Sequence, residues 1–340
     1  MSETPLEILV TLPFTNSQME QLREVSPRIR VSQHKARRAE DIPPEIWSKI
    51  NILYTDSILP TPIQSPELDW IQFHTAGIDF VKETPILHKN GLKVTTLSGA
   101  AAPQVAEFAI TLMLALAHNL PSLSAYQTKA DWPEKRWEKL KPFELRGATV
   151  GLVGYGSINR EIARLLQPFQ VTILAAKRDV MHPQDHDYSL PALGDPEGEL
   201  FQRLYPIQAL KSMLKECDFV VVAVPLTKDT HHLIDAEELA VLKPTSYLVD
   251  VSRGGVINPD SLLQALKENR IAGAALDVFN EEPLPATDPL WKAPHVIISP
   301  HIGGFSTKYN DRAVDMFIEN INNYLNERPL FNQFYSHRGY

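Results

Sequence analysis

The chain has 340 residues and a net charge of −8, with 44% apolar and 22% charged residues. That length accommodates two domains with a sizeable core, and the balance is ordinary for a soluble globular protein. The acidic charge gives no electrostatic case for nucleic acid or an anionic membrane surface as partner, and the single cysteine, Cys217, excludes an internal disulfide and fits a reducing compartment, here the cytoplasm.

The opening MSETPLEILV has no basic n-region and no long apolar h-region, so no secretory signal is expected. Residues 6–12, 29–32, 50–54, 68–73 and 92–96 read as strands, with helical patterns at 17–25 and 43–49 between them. Strands alternating with helices predict a small, doubly wound parallel sheet. His74-Thr75-Ala76-Gly77-Ile78-Asp79 follows the fourth strand directly. The Ala76 and Gly77 backbone N–H groups could hold a carboxylate there; on the residues alone, an ordinary turn capped by Asp79 is favoured. A long apolar helix at 103–120 is too short to span a bilayer. The polar, aromatic stretch 121–142, with Trp132 and Trp137, reads as an arm that plugs a partner subunit or the active-site mouth, or packs locally.

Residues 147–179 read GATVGLVGYGSINREIARLLQPFQVTILAAKRD, which is strand, glycine turn, helix and strand within one βαβ unit. Gly154 permits the tight turn. Gly156 lets the backbone approach a pyrophosphate, at which the helix directs free N–H groups and the positive end of its dipole. Asn159 stands where the usual pattern has its third glycine. At the end of the second strand, an NAD site wants an acid for the ribose 2′-OH. This chain has Lys177 and Arg178 there, two cations suited to a 2′-phosphate, so NADP(H) is favoured; Asp179 as a displaced acid leaves NAD(H) as the alternative.

Residues 180–206 are polar and rich in proline and glycine, and read as a surface insertion. His182 and His186 lie within it, but no carboxylate–histidine pattern supports a metal site. Further strands are expected at 219–224, 246–251, 272–278 and 295–299, giving six in this domain with 148–153 and 172–176. Helices are expected at 207–216, 259–269 and 305–327. The last three strands run into Ser252-Arg253-Gly254-Gly255, into Asp277 and then Glu282, and into His301-Ile302-Gly303-Gly304. Carboxyl ends of parallel strands face one crevice, so these groups should meet beside the glycine turn. Arg253 offers a fork of donors for a carboxylate or a reacting carbonyl. His301 can pass a proton near neutral pH, and Glu282 can orient it.

These runs resemble the D-isomer-specific 2-hydroxyacid dehydrogenase family, of the glyoxylate/hydroxypyruvate reductase kind. The matching stretches are TAGID, APQVAEFAITLMLALA, LRGATVGLVGYGSI, CDFVVVAVPLTKDTHHLID, LVDVSRGGVIN, ALDVFNEEPLP and SPHIGG. The resemblance implies an α/β protein of two doubly wound parallel-sheet domains. A Rossmann dinucleotide-binding domain, 103–303, is inserted into a flavodoxin-like substrate domain, 1–102 with 304–340. It implies Arg253, Glu282 and His301 as catalytic residues, and Ala76 and Gly77, with Arg253 and His301, as substrate contacts, which reverses the turn reading of that loop. It places the cofactor on Gly154, Gly156, Ser157, Ile158, Lys177, Arg178, Val224, Pro225, Val251, Ser252, Asp277, Gly303 and Gly304, with no metal. It also implies a homodimer joined through the dinucleotide domain. The expected activity is reduction of a small 2-oxo acid with NADP(H); the rivals are an NAD-dependent D-2-hydroxyacid dehydrogenase and a non-catalytic, dinucleotide-sensing corepressor-like protein.

Overall fold

The structure, a computed structural model, describes residues 5–335 apart from residues 82 and 186. His186 therefore lies outside the described residues. The chain divides into two compact units, residues 1–101 with 306–340, and residues 102–305. Strands and helices are numbered along the chain.

In the first unit β1 (Leu6–Val10), β2 (Ile29–Gln33), β3 (Ile52–Thr55), β4 (Trp70–Phe73) and β5 (Lys93–Thr95) form a parallel sheet. Its order, β2-β1-β3-β4-β5, is the flavodoxin-like one. Every residue of β3 and β4 is buried, as strands covered on both faces must be. Helix α1 (Asn16–Glu24) starts at Thr15, whose hydroxyl accepts from the Gln18 N–H while the Gln18 side chain accepts from the Thr15 N–H. The expected helix at 43–49 is a single turn, α2 (Pro44–Trp47). The last helix, α10 (Tyr309–Leu325), returns to this unit. It buries Ala313, Val314, Phe317 and Ile321 on one face, with Phe317 ring-to-ring at 4.7 Å from Tyr54 and 5.3 Å from Trp70.

The second unit holds seven parallel strands: β6 (Thr149–Val153), β7 (Thr172–Lys177), β8 (Arg203–Pro206), β9 (Phe219–Val222), β10 (Tyr247–Asp250), β11 (Gly273–Leu276) and β12 (Val296–Ile298). Their order is β12-β11-β10-β9-β6-β7-β8, the Rossmann arrangement with one further strand at the β12 edge. The order reverses at β6, between β7 and β9, which is where a doubly wound sheet opens its ligand crevice. The apolar helix α3 (Ala102–Ala117) buries ten of its residues in this unit. The arm after it is α4 (Leu120–Thr128) and α5 (Arg136–Lys139), with Trp132 and Trp137 exposed. Helices α6 (Ser157–Leu166), α7 (Leu210–Leu214), α8 (Ala236–Ala240) and α9 (Pro259–Lys267) complete it.

One expectation is corrected. Residues 180–206 are not wholly a surface insertion, because they end in β8, which pairs with β7 from Leu174↔Arg203 to Lys177↔Pro206. A four-residue edge strand that ends in proline and fully buries only Tyr205 carries no readable alternation. Cys217 is buried against Gly151, and burial pushes its thiol up to about 12, which makes it inert.

Phe317→Ala should cost about 3–5 kcal/mol, as large-to-small changes at fully buried aromatic positions do. A urea titration followed by far-UV circular dichroism reads this as a lower midpoint for the first unit. An unchanged midpoint would refute the docking of α10 on this sheet.

Candidate active site

The glycine turn leaves β6 at the switch point. Gly154 has φ +84°, and a Cβ there would lie 2.4 Å from the Val224 side chain and 2.8 Å from the Ala223 carbonyl. Only glycine meets both demands. A Cβ on Gly156 would meet nothing within 4 Å, so this stretch of backbone faces open space that a pyrophosphate can enter. Helix α6 begins at Ser157 with no side chain capping its first turn. Its positive end is thus directed at the same space, and the turn fits a dinucleotide. The amide of Asn159 fills the third glycine's place by donating to the carbonyls of Val153 (3.0 Å) and Gly154 (2.6 Å). It anchors the helix to the strand end by hydrogen bonds where a glycine would do so by close approach.

The far half of the sheet carries the candidate catalytic side chains. Asp250 pairs with Leu276 and Leu276 with Ile298, so β10, β11 and β12 end level. Their exits put Arg253, Glu282 and His301 along one edge. His301 Nδ1 lies 2.7 Å from Glu282 Oε2, and Glu282 Oε1 accepts from the Phe279 N–H at 2.9 Å. Both carboxylate oxygens are therefore occupied, and the imidazole is oriented through Nδ1 with Nε2 left for a reacting group. His301 holds φ +53°, which turns the chain sharply after Pro300. Arg253 donates from Nη1 to the Ser252 carbonyl at 2.8 Å and is half-buried.

Two buried acids fix the exits. Asp277 accepts from Ser299 Oγ (2.7 Å), Ile302 N (3.0 Å) and Gly303 N (2.9 Å), and so clamps the His301 loop. Asp250 accepts from the N–H and hydroxyl of Ser252, and so clamps the Arg253 loop. Burial pushes Asp250 up to about 7, and Asp277 beside it acts in the same direction. Gly254 lies so close to the Glu282 loop that a Cβ there would be 1.9 Å from the Phe279 carbonyl oxygen.

The other predicted residues fall as follows. Val224, Val251 and Ser252 are buried at the ends of β9 and β10, and the Pro225 carbonyl accepts from Thr230 Oγ1 at 2.6 Å. Gly303 is buried against Asp277, while a Cβ on Gly304 would meet nothing within 4 Å. Lys177 does not point freely outward: its ammonium donates to the carbonyls of His182 (2.8 Å) and Gln184 (3.2 Å). Arg178 is exposed, and Asp179 is paired with His182 at 2.8 Å. In the first unit Ala76 is exposed in a loop closed by Thr75 Oγ1 donating to the Gly77 carbonyl at 2.9 Å. The preceding His74 is held by Tyr54 and Tyr309, and burial lowers it to about 4, so it is neutral. Sequence reasoning passed over Asp250, Tyr155, Arg160 and Asp195. The signal it could have used was an acid two residues before Ser252, which only a hydrogen-bonded turn would tolerate at a buried strand end.

A dinucleotide turn and an oriented histidine on one edge of one sheet define a nicotinamide-dependent dehydrogenase. The comparisons with known proteins agree, and the chain belongs to the D-isomer specific 2-hydroxyacid dehydrogenase family. The pattern of that family's NAD binding domain matches residues 110–303. A glyoxylate reductase of Thermofilum pendens is 35% identical over 259 residues, 76% of this chain and 72% of that one. A family member from Aeromonas salmonicida has a solved structure that superimposes with a TM-score of 0.75 at 27% identity, covering 98% of this chain and 100% of that one. The NADPH-dependent glyoxylate/hydroxypyruvate reductase of Sinorhizobium meliloti gives 0.74 at 26%, covering 97% and 98%. The protein is thus an oxidoreductase acting on CH–OH donors with a nicotinamide dinucleotide.

Asp250 supplies a pH test. Its folded pKa of about 7 lies above the ordinary 3.8, so the stability it contributes is complete below about pH 4 and is lost as pH rises through about 7. Asp250→Asn keeps the acceptor for Ser252 and removes the titration. Between pH 5 and 8 the native protein should lose several degrees of Tm that the variant retains, at roughly 2–4 °C per kcal/mol. Parallel curves for the two proteins would show that Asp250 does not titrate there.

Proposed function

We propose that the protein reduces small 2-oxo acids to D-2-hydroxy acids, in the manner of a glyoxylate/hydroxypyruvate reductase, and that it prefers NADP(H). The single observation that carries this reading is the His301–Glu282 pair, 2.7 Å apart, on the sheet edge that also bears the glycine turn. The unit of residues 102–305 holds the dinucleotide, through Gly154, Gly156, Ser157, Ile158, Val224, Pro225, Val251, Ser252, Asp277, Gly303 and Gly304. Within the first unit, the Ala76–Gly77 backbone N–H groups are the candidate donors for a carboxylate.

The nicotinamide, when bound, supplies the hydride. His301, protonated, donates from Nε2 to the carbonyl oxygen as it becomes an alcohol. Glu282 holds the ring in line through Nδ1 and balances its charge. Arg253 binds the carboxylate and polarises the carbonyl, so that negative charge developing on oxygen meets a fixed cation. Asp277 and Asp250 keep the two loops in place while this happens. For the oxidation the proton runs back to His301.

Cofactor choice falls to Arg178 as the direct partner of a 2′-phosphate, with Lys177 adding charge from its place on the loop carbonyls. That same tethering of Lys177 favours a second reading, NAD(H) use, since its ammonium donors are committed to the His182 and Gln184 carbonyls. We assign the protein to the cytoplasm, with which its one buried thiol agrees, and to a homodimer that covers the exposed indoles of Trp132 and Trp137.

His301→Ala should lower kcat by about 10²–10⁴-fold, the usual worth of a positioned acid, with dinucleotide binding intact. The assay is glyoxylate or hydroxypyruvate reduction followed at 340 nm, and full turnover would remove His301 from the mechanism. Arg178→Ala should raise KM for NADPH about tenfold or more, the worth of one charge-assisted bond of 1.5–3 kcal/mol, and leave KM for NADH unchanged. Equal changes for both cofactors would favour the NAD(H) reading.

A further inference from the structure

Between β7 and β8 a doubly wound sheet normally carries a helix. Here the described residues between 178 and 202 form no helix. They are nonetheless built into the dinucleotide turn. Helix α6 presents three consecutive polar residues, Asn159, Arg160 and Glu161, and all three are buried, at 0%, 2% and 2% exposure. Asn159 is accounted for by the strand end. The other two are buried by the crossing segment. Arg160 donates to the carbonyls of Asp195 and Pro183, and its Nε lies 3.2 Å from Asp185 Oδ2. Glu161 accepts from the Gly194 N–H at 2.7 Å.

The decisive contact is with the turn itself. Tyr155, the residue between Gly154 and Gly156, is 2% exposed, and its hydroxyl donates to Asp195 Oδ2 at 2.6 Å. Asp195 is in turn fixed by the N–H groups of Glu199 (2.9 Å) and Leu200 (3.0 Å). The Tyr155 ring lies edge-on to Phe201 at 5.1 Å and under the Arg160 guanidinium at 4.7 Å. A turn that cradles a pyrophosphate needs its N–H groups fixed in direction before the ligand arrives; a loose turn must be ordered on binding, and affinity falls by that cost.

We propose that residues 183–185 together with 194–200 form a brace that pre-organises the phosphate turn, with Tyr155 and Asp195 as positioning residues for the dinucleotide. The proposal rests on the dinucleotide being held at the glycine turn. It makes a distinction that Arg178 does not. The brace acts at the pyrophosphate, which NADPH and NADH share, whereas Arg178 acts at the 2′ position, where they differ.

Tyr155→Phe removes one hydroxyl and leaves the ring, Asp195 and its two backbone donors in place. The dissociation constants of NADPH and NADH, read by quenching of tryptophan fluorescence in the full-length protein, should both rise about tenfold or more, the worth of one hydrogen bond to a charged group. Their ratio and kcat at saturating cofactor should not change. A merely structural role would lower Tm and leave both constants as they were, and that result overturns the proposal. A change in the NADPH/NADH ratio would also overturn it, since it would place the brace at the 2′ end. Asp195→Asn, which weakens the same bond from the other side, should shift both constants in the same direction, and a variant that binds normally counts against the brace. A native protein that binds neither dinucleotide would instead refute the underlying reading of the turn.

Discussion

Level strand ends are the constraint on which the rest of the site depends. Because β10, β11 and β12 run parallel and stop together, every loop that leaves them starts from one line. A guanidinium, a carboxylate and an imidazole that are far apart in the chain thereby share an edge. Hydrogen bonding then turns proximity into geometry. Asp250 and Asp277, buried at the ends of neighbouring strands, each accept from the loop that carries a candidate site residue, Arg253 or His301. Both acids are costly to bury, and the cost is offset only by the donors they fix.

The glycine turn shows the same division between backbone and side chain. Gly154 is required by a positive φ and by the nearness of the next strand's exit. Gly156 is under no such constraint from the fold, since a Cβ there would meet nothing within 4 Å. Asn159 reaches the same end as a glycine by another route, its amide donating to the Val153 and Gly154 carbonyls at the end of β6.

Much of this was legible in the chain itself. The alternation of apolar runs with helical patterns announced two parallel sheets, and the glycine turn between strand and helix marked the dinucleotide unit. Arg253, Glu282 and His301 stood out because each lies in the stretch by which the chain leaves a strand. What could not be read was whatever depended on buried polar groups meeting across long separations. Strand β8 was hidden because four residues ending in proline leave no period to detect. Arg160 and Glu161 look like solvent-facing residues of an amphipathic helix, and only the segment folded over them, 23 to 35 positions onward, makes them interior. Lys177 was legible as a cation, but not as one committed to carbonyls of the following loop. Propensity describes neighbours in sequence, and these are neighbours in space alone.

The packing of Gly151 against Cys217 carries a further consequence. A Cβ at position 151 would sit 2.4 Å from the Cys217 sulfur, so strand and thiol interlock with no room for a reagent between them. The chain contains no other cysteine. Alkylation of this protein by a maleimide therefore reports on one event, the parting of β6 from the turn that follows α7. The thiol is a native clock for opening of the dinucleotide sheet, needing no engineered label.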